Sequence, residues 1–192
     1  MTPKRVLDIG ANIGEWAKLA SQAWPTASFH LIEANPGCKQ YLDDLPWPYT
    51  IALLGDSERD SVPFYTISTT ATGASVYREL TWLYDACEPI WLPQTTLDAL
   101  FPMSVFEFVK IDTQGSELDI MRGGMDLIQR GTRAILMEVS LEPYNEGAPL
   151  HDEVVEFMKG IGFPFHKSLG DPGPGQKDIC FARRRVDLSE IR

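Results

Sequence analysis

The sequence predicts an α/β fold in which a mostly parallel β-sheet has helices on both faces and ends in a C-terminal antiparallel hairpin. Strand-like runs rich in β-branched and aromatic residues alternate with segments of helical period, which is typical of such a sheet. Two later runs, 163–169 and 177–181, flank the turn-rich segment 170–175, which favours a hairpin. The 192 residues, 44% of them hydrophobic, suffice for one sizeable core, so we expect a single domain over residues 1–192.

The first half of the chain is expected to alternate between strands and helices. Apolar residues share one face of the first helix, and Pro25 stops it. Asn35 and Pro36 supply a cap and a first turn for the second helix. The strands predicted in this half cover 5–9, 28–33, 49–54 and 61–67, and the helices cover 14–24 and 36–45.

The second half begins with a weaker pattern. Residues 68–102 are rich in Thr, Trp and Tyr with glycine and proline breakers, so we expect an excursion over the strand ends on the substrate side rather than a second domain. Loops in that position usually carry specificity. Beyond it, strands are predicted over 106–113 and 133–139, and helices over 117–129 and around 154–161.

Composition and charge exclude several classes of partner. The chain has 17 basic and 27 acidic residues, a formal charge of -10, which disfavours a nucleic-acid substrate. Three cysteines are an odd number without metal-like spacing, and residues 1–5 do not resemble a signal peptide, so we expect a cytoplasmic protein. No apolar run is long enough to cross a membrane, so no membrane partner is expected.

The first segment that carries chemistry is 6–14 (VLDIGANIG), a strand that runs through a tight turn into a helix. Gly10 and Gly14 let the backbone approach a ligand at the carboxyl edge of the sheet. Asp8 is expected either to hold the turn or to hydrogen-bond to the ligand. Because Asn12 replaces the middle glycine of Gly-x-Gly-x-x-Gly, the turn disfavours a dinucleotide pyrophosphate and suits a ligand without phosphates.

The second segment is 31–34 (LIEA), at the carboxyl end of the second strand. An acid in this position accepts two hydrogen bonds from a ribose diol. We therefore expect Glu33, with the adjoining Ala34, to bind the adenosine part of a cofactor. Asp56, at the end of the third strand, is expected to meet the adenine edge.

Asp112 and Glu138 follow or end two later buried strands, which makes them a candidate acid/base pair. Asp112 needs a partner or a ligand if it is buried. If Asp112 binds no ligand, Lys110 is the candidate partner, although we expect the two side chains to lie on opposite faces of the strand. Asp112 and Glu138 with Gln114 also make a possible Mg²⁺ site, but the sequence favours catalysis without metal. His151 is an outside candidate for the base.

Together these motifs resemble the FkbM-type S-adenosylmethionine-dependent methyltransferases. The resemblance implies a Rossmann-like class I methyltransferase sheet, S-adenosylmethionine as cofactor, and O-methylation of a sugar, polyketide or other secondary metabolite. It extends over about residues 5–165. Asp112 is expected to contact both the cofactor and the reaction centre. The matching segments are 8–14 (DIGANIG), 33–36 (EANP), 96–98 (TLD), 110–117 (KIDTQGSE) and 137–139 (MEV).

Two alternatives remain at this stage, a nicotinamide-dependent oxidoreductase, disfavoured by Asn12, and a catalytically silent adenosyl-binding subunit. The partner expected for an active enzyme is a small-molecule or glycan acceptor. Because the first strand starts at residue 5, we expect no leading helices over the site. The segment 68–93 is then expected to form the acceptor-side wall or lid, unless a second copy of the chain completes the site.

Overall fold

A computed structural model describes residues 2–170 and 175–184 of the chain. In addition to the strands and α-helices given next, these ranges contain short 3-10 helices at Pro36–Cys38 and Trp82–Tyr84. The strands are β1 (Arg5–Ile9), β2 (Ser28–Glu33), β3 (Tyr49–Ile51), β4 (Leu53–Leu54), β5 (Arg59–Phe64), β6 (Ile90–Thr95), β7 (Phe108–Ile111), β8 (Ala134–Ser140), β9 (Phe165–Gly170) and β10 (Gln176–Ala182). The α-helices are α1 (Glu15–Ala23), α2 (Lys39–Leu42), α3 (Leu97–Leu100), α4 (Glu117–Arg122), α5 (Met125–Gly131) and α6 (His151–Gly160).

Seven strands form one sheet in the order β3-β2-β1-β7-β8-β10-β9. The first five run parallel, and β10 is antiparallel to both β8 and β9. The predicted α/β class and the closing antiparallel hairpin are therefore confirmed. Residues 171–174 of the predicted hairpin turn lie outside the described residues.

The register of the central strands aligns their carboxyl ends. Ile9 at the end of β1 pairs with Ile32 of β2 on one side and with Ile111 of β7 on the other. The segments that follow these strands therefore meet at one edge of the sheet. This edge is where open α/β sheets bind ligands.

Three predicted elements differ in the structure. The predicted strand 49–54 divides after Ile51, because its partner β2 ends at Glu33 and β4 pairs instead with β6 in a second sheet of order β4-β6-β5. The predicted helix 117–129 divides at Gly123, where a Cβ would lie 2.0 Å from the carbonyl oxygen of Gly55. The excursion 68–102 contains β6 and α3, so it is more regular than predicted.

The core lies on both faces of the large sheet because side chains alternate along its strands. Val6 and Phe108 pack on the side of α1 and α2, and Phe108 stacks against Trp16 with ring centroids 6.1 Å apart. Leu7 and Val109 face the opposite side, where α4, α5 and α6 cover the sheet. Among the described residues, no helix has the length and apolarity needed to span a membrane.

Candidate active site

A cavity of about 410 Å³ opens at the carboxyl edge of the large sheet. Its floor is formed by the segments that follow the central strands, and its opposite wall is formed by residues 71–76 and Glu79 from the excursion. A concave site of this size is typical of small-molecule binding. The sequence-predicted site residues that line it are Gly10, Asn12, Glu33, Ala34, Asp112 and Glu138.

Glu33 holds the two loops beside it and also faces the cavity. The backbone N–H of Asn12 donates to its Oε2 at 2.7 Å, and that of Asn35 donates to its Oε1 at 2.7 Å. Burial raises the pKa of Glu33, while these N–H donors act to lower it. Each carboxylate oxygen can accept more than one hydrogen bond, so Glu33 retains capacity for a ligand hydroxyl.

Lys110 lies beneath the cavity between two carboxylates. Its Nζ is 3.1 Å from Asp112 Oδ2 and 3.6 Å from Asp8 Oδ1. The assignment of Lys110 and Asp112 to opposite faces is wrong, because residues two apart in a strand point to the same face. Burial acts to lower the pKa of Lys110, but the charges of Asp112 and Asp8 outweigh it and raise that pKa above its usual value.

Asp8 is fully buried and does not line the cavity. Within residues 2–170 and 175–184, neither of its carboxylate oxygens has a hydrogen-bond partner, and at 3.6 Å the Lys110 ammonium makes an ionic contact rather than a hydrogen bond. Burial raises the pKa of Asp8, and Lys110 opposes this shift. Of the two roles expected for Asp8, the geometry favours support beneath the turn over direct contact with a ligand.

Glu138 is joined to Asp112 through an amide side chain. Gln114 Nε2 donates to Glu138 Oε1 and also to Asp112 Oδ1, the latter at 3.1 Å. Gln176 of β10 donates to the same Glu138 oxygen at 2.8 Å. Burial, followed by repulsion from Asp112, raises the pKa of Glu138 to about 8. The site therefore pairs an acid that is mostly protonated at neutral pH with a carboxylate held by Lys110.

The described residues contain no group of three or more His, Cys, Asp or Glu side chains arranged to hold a metal ion. Gln114 was a candidate third ligand, but its amide nitrogen faces both carboxylates as a hydrogen-bond donor. Glu117 accepts from the backbone N–H groups of Thr113 and Gly115, at 2.9 and 3.2 Å, so it holds the turn that carries Gln114.

Three other candidates lie away from the cavity. Asp56 is exposed and pairs with Arg59 at 2.8 Å, because pairing with β2 ends at Ile51 and the chain continues through β4 into the second sheet. Gly14 precedes α1 with a φ of +79°, and a Cβ there would meet the side chain of Leu45 rather than ligand space. His151 starts α6 and contacts Asp152 at the surface.

Segment 66–71 is held over the cavity by two asparagine side chains. The Asn35 amide donates to the carbonyl oxygens of Ser68 and Thr69, at 3.1 and 3.4 Å. The Asn12 amide donates to the carbonyl oxygen of Ala71 at 3.3 Å. The same two loops that bind Glu33 therefore position the start of the cavity wall.

The aromatic residues of the expected lid have different environments. Tyr84 is buried, whereas Trp82 and Trp91 are 79% and 64% exposed. None of these three lines the cavity. The polar lining residues Glu79, Tyr144 and Gln176 were not singled out from the sequence, although Glu79 lies in the expected wall segment 68–93, because their approach depends on long-range packing and no local motif marks them.

The methyltransferase FkbM domain model matches residues 8–165, which confirms the resemblance carried by the motifs. No curated protein sequence gives a significant match.

Solved structures share the fold at low sequence identity. The precorrin-6y C5,15-methyltransferase of Geobacter metallireducens has a TM-score of 0.52 at 14% identity, over 95% of this chain and 82% of that chain. The plantazolicin methyltransferase BpumL, solved with a triazolic desmethylPZN analog and SAH, has a TM-score of 0.52 at 11% identity, over 96% and 78%. The mitomycin 7-O-methyltransferase MmcR has a TM-score of 0.51 at 14% identity, and this chain spans only 49% of its length while 95% of this chain is covered.

Proposed function

The chain belongs to the FkbM methyltransferase family, and from this premise we propose that it binds S-adenosylmethionine in the cavity and methylates a hydroxyl of a small-molecule or glycan acceptor. The supporting observation is that Asp112 and Glu138 line the same cavity as Gly10 and Glu33. One cavity thus offers a place for the cofactor and carboxyl groups for the acceptor proton.

The cavity fits an adenosyl cofactor on two grounds. Gly10 lines the cavity, and only glycine fits there, because its φ is +73° and a Cβ would lie 1.8 Å from the carbonyl oxygen of Asp112. Glu33 presents a carboxylate with free lone pairs to the cavity, which suits the two hydroxyls of a ribose. Ala34 and Asn12 complete this part of the wall.

S-adenosylmethionine, when bound, supplies a methyl group on a sulfonium sulfur. In the proposed transfer, the acceptor oxygen forms a bond to the methyl carbon while the carbon–sulfur bond breaks, and its electron pair goes to sulfur. The acceptor proton passes to a carboxylate of this chain, which typically contributes about 10²–10⁴-fold to the rate. Asp112 forms an ion pair with Lys110 at 3.1 Å, and Glu138 becomes a base as pH rises past about 8.

The cofactor role is tested by calorimetry with S-adenosylhomocysteine, NAD, and the 2′-deoxy analogue of S-adenosylhomocysteine. We expect S-adenosylhomocysteine to bind, NAD not to bind, and the deoxy analogue to bind more weakly by about 1–3 kcal/mol, the range for a charge-assisted hydrogen bond. Glu33→Gln should remove this difference between the two analogues. Comparing ligands within each protein corrects for the loop contacts that Glu33 also makes, and an undiminished difference would exclude the ribose role.

The catalytic role is tested by single-turnover methyl transfer in Asp112→Asn and Glu138→Gln, with and without a chelator, after cofactor affinity is shown to be intact. At least one variant should lose about 10²-fold or more, the lower range of general-base catalysis. Loss of wild-type activity on chelation would favour the metal-assisted route. Cofactor binding without transfer to any acceptor would instead support an adenosyl-binding subunit.

A further inference from the structure

Glu79 is a charged residue on the cavity wall that the proposed reaction does not use. Its side chain is only 6% exposed, and it lines the cavity together with Gly73 and Tyr144. Oε1 accepts a hydrogen bond from the Thr81 hydroxyl. Oε2 packs so closely on the backbone of the wall that a Cβ on Gly73 would lie 2.1 Å from it.

No cationic side chain in the described part of the chain lies within ion-pair distance of Glu79. A buried carboxylate without a counter-ion is costly, so such groups are normally paired or bind a ligand. Glu79 is hydrogen-bonded to the hydroxyl groups of Thr81 and Tyr144, but neither donor carries a positive charge. Asp112 has the ammonium of Lys110, and Glu33 has two backbone N–H donors.

Tyr144 connects Glu79 with the part of the cavity that contains Glu138, where the proposed reaction removes the acceptor proton. Burial raises the pKa of Tyr144, as do the charge of Glu79 and a hydrogen bond to it, and the charge of Glu138 raises this pKa further, so Tyr144 interacts with both carboxyl groups. The cavity wall carries four acids and, among its described residues, no Lys, Arg or His. The wall therefore offers no cation to a carboxylate or phosphate of the acceptor.

We propose that the acceptor is a hydroxylated amine and that Glu79 is the charge partner of its ammonium group. This inference rests on the proposed function, because it assigns the acceptor class of the same cavity. An ammonium donates hydrogen bonds and places its charge beside the carboxylate that lacks a counter-ion. Uncharged acceptors lose this contact, and anionic acceptors are repelled, so Glu79 determines specificity by charge.

The test measures binding of charge-matched probes to the protein saturated with S-adenosylhomocysteine. Glucosamine, N-acetylglucosamine and glucuronic acid form one set, and tyramine, N-acetyltyramine and 4-hydroxyphenylacetate form the other. We expect the amine of at least one set to bind about tenfold or more tightly than its partners, an energy in the range of a charge-assisted contact. Glu79→Gln should remove that preference and leave S-adenosylhomocysteine affinity unchanged.

Glu88→Gln is the matched control, because it makes the same charge change at an exposed position of the same segment, and it should keep the amine preference. Equal affinities, preference for an amide or acid, no binding of any probe, or an amine preference that survives Glu79→Gln would each overturn the proposal. A fall in S-adenosylhomocysteine affinity in Glu79→Gln would assign Glu79 to the cofactor's own ammonium and also overturn it. Failure of the wild type to bind S-adenosylhomocysteine would contradict the proposed function instead, and the wild-type probe comparison is decisive even if Glu79→Gln does not fold.

Discussion

At the scale of single residues, Lys110 connects the stability of the sheet with the charge of the cavity. Its ammonium lies 3.1 Å from Asp112 and 3.6 Å from Asp8, and its Nζ also donates to the Gly10 carbonyl oxygen at 3.4 Å. The i and i+2 spacing of Lys110 and Asp112 places both side chains on one face of the strand, so the prediction of opposite faces was an avoidable error. The ion pair with Asp8 was less accessible to sequence reasoning, because it depends on the register of β1 against β7.

Replacing Lys110 by methionine should lower the free energy of unfolding by about 3–5 kcal/mol, the usual cost of removing one partner of a buried ion pair. Asp8 would then be buried with no hydrogen-bond partner and no counter-ion. The measurement is urea unfolding of the single variants and of the double variant Asp8→Asn/Lys110→Met. We expect the double variant to recover part of the loss, whereas additive losses would show that the pair does not interact.

Glu138 should make the folded protein less stable as pH rises, which is the opposite of the usual effect of an acidic side chain. Its folded-state pKa of about 8 lies above the ordinary value of 4.5, because burial and Asp112 disfavour its charge. The native state therefore binds more protons than the unfolded state between these values, and the stability present below pH 4.5 is lost as pH rises towards 8. In Glu138→Gln this loss should disappear, a difference of at most about 1.4 kcal/mol per pH unit.

The comparison is made by chemical unfolding at several pH values, with Glu142→Gln as the control because Glu142 is exposed nearby. The control should keep the wild-type pH dependence. Parallel curves for wild type and Glu138→Gln would contradict the raised pKa.

At the scale of elements, local signals predicted the beginnings of strands better than their ends. The central strand β1 was predicted with the bounds that the structure has, and its partners match it in length, because β2 pairs with all five of its residues and β7 with the last four. The run 49–54 has strand character throughout, but β2 has no residue left to pair with it beyond Ile51. A sequence pattern records the preference of a segment and not the length of its partner.

Segment 66–71, which leads into the cavity wall, should exchange its amide hydrogens faster when the Asn35 amide that donates to it is replaced. Asn35→Asp keeps an oxygen that can accept from the Gly37 N–H, as Asn35 Oδ1 does at 3.0 Å, but it places a carboxylate against the carbonyl oxygens of Ser68 and Thr69. Hydrogen exchange over this segment should accelerate about fivefold or more, which corresponds to about 1 kcal/mol for a lost hydrogen bond. The Gly37 amide is the internal control, and unchanged exchange in the segment would show that Asn35 does not hold it.

At the scale of the whole molecule, the sequence predicted the residues on one side of the cavity, but for the other side it predicted only a wall segment, 68–93, and not the residues that line the cavity. Gly10, Glu33, Asp112 and Glu138 were identifiable because each follows or ends a buried strand, and the carboxyl ends of parallel strands share one edge. Glu79, Tyr144 and Gln176 belong to segments that reach this edge through tertiary packing. Their residue types alone give no sign of it, so the acidic character of the whole wall emerged only from the structure.

The place of β10 has a consequence for synthesis on the ribosome. β10 lies between β8 and β9, although both of these strands precede it in the chain. A nascent chain emerges N-terminus first, so β8 exposes an unpaired edge until β10 inserts, and such edges favour aggregation. Gln176, which contacts Glu138, arrives with this strand. Translation that stops before Gln176 would release a chain with all four cavity acids encoded, an open strand edge and no completed site, which is a form that chaperones and proteases would recognise.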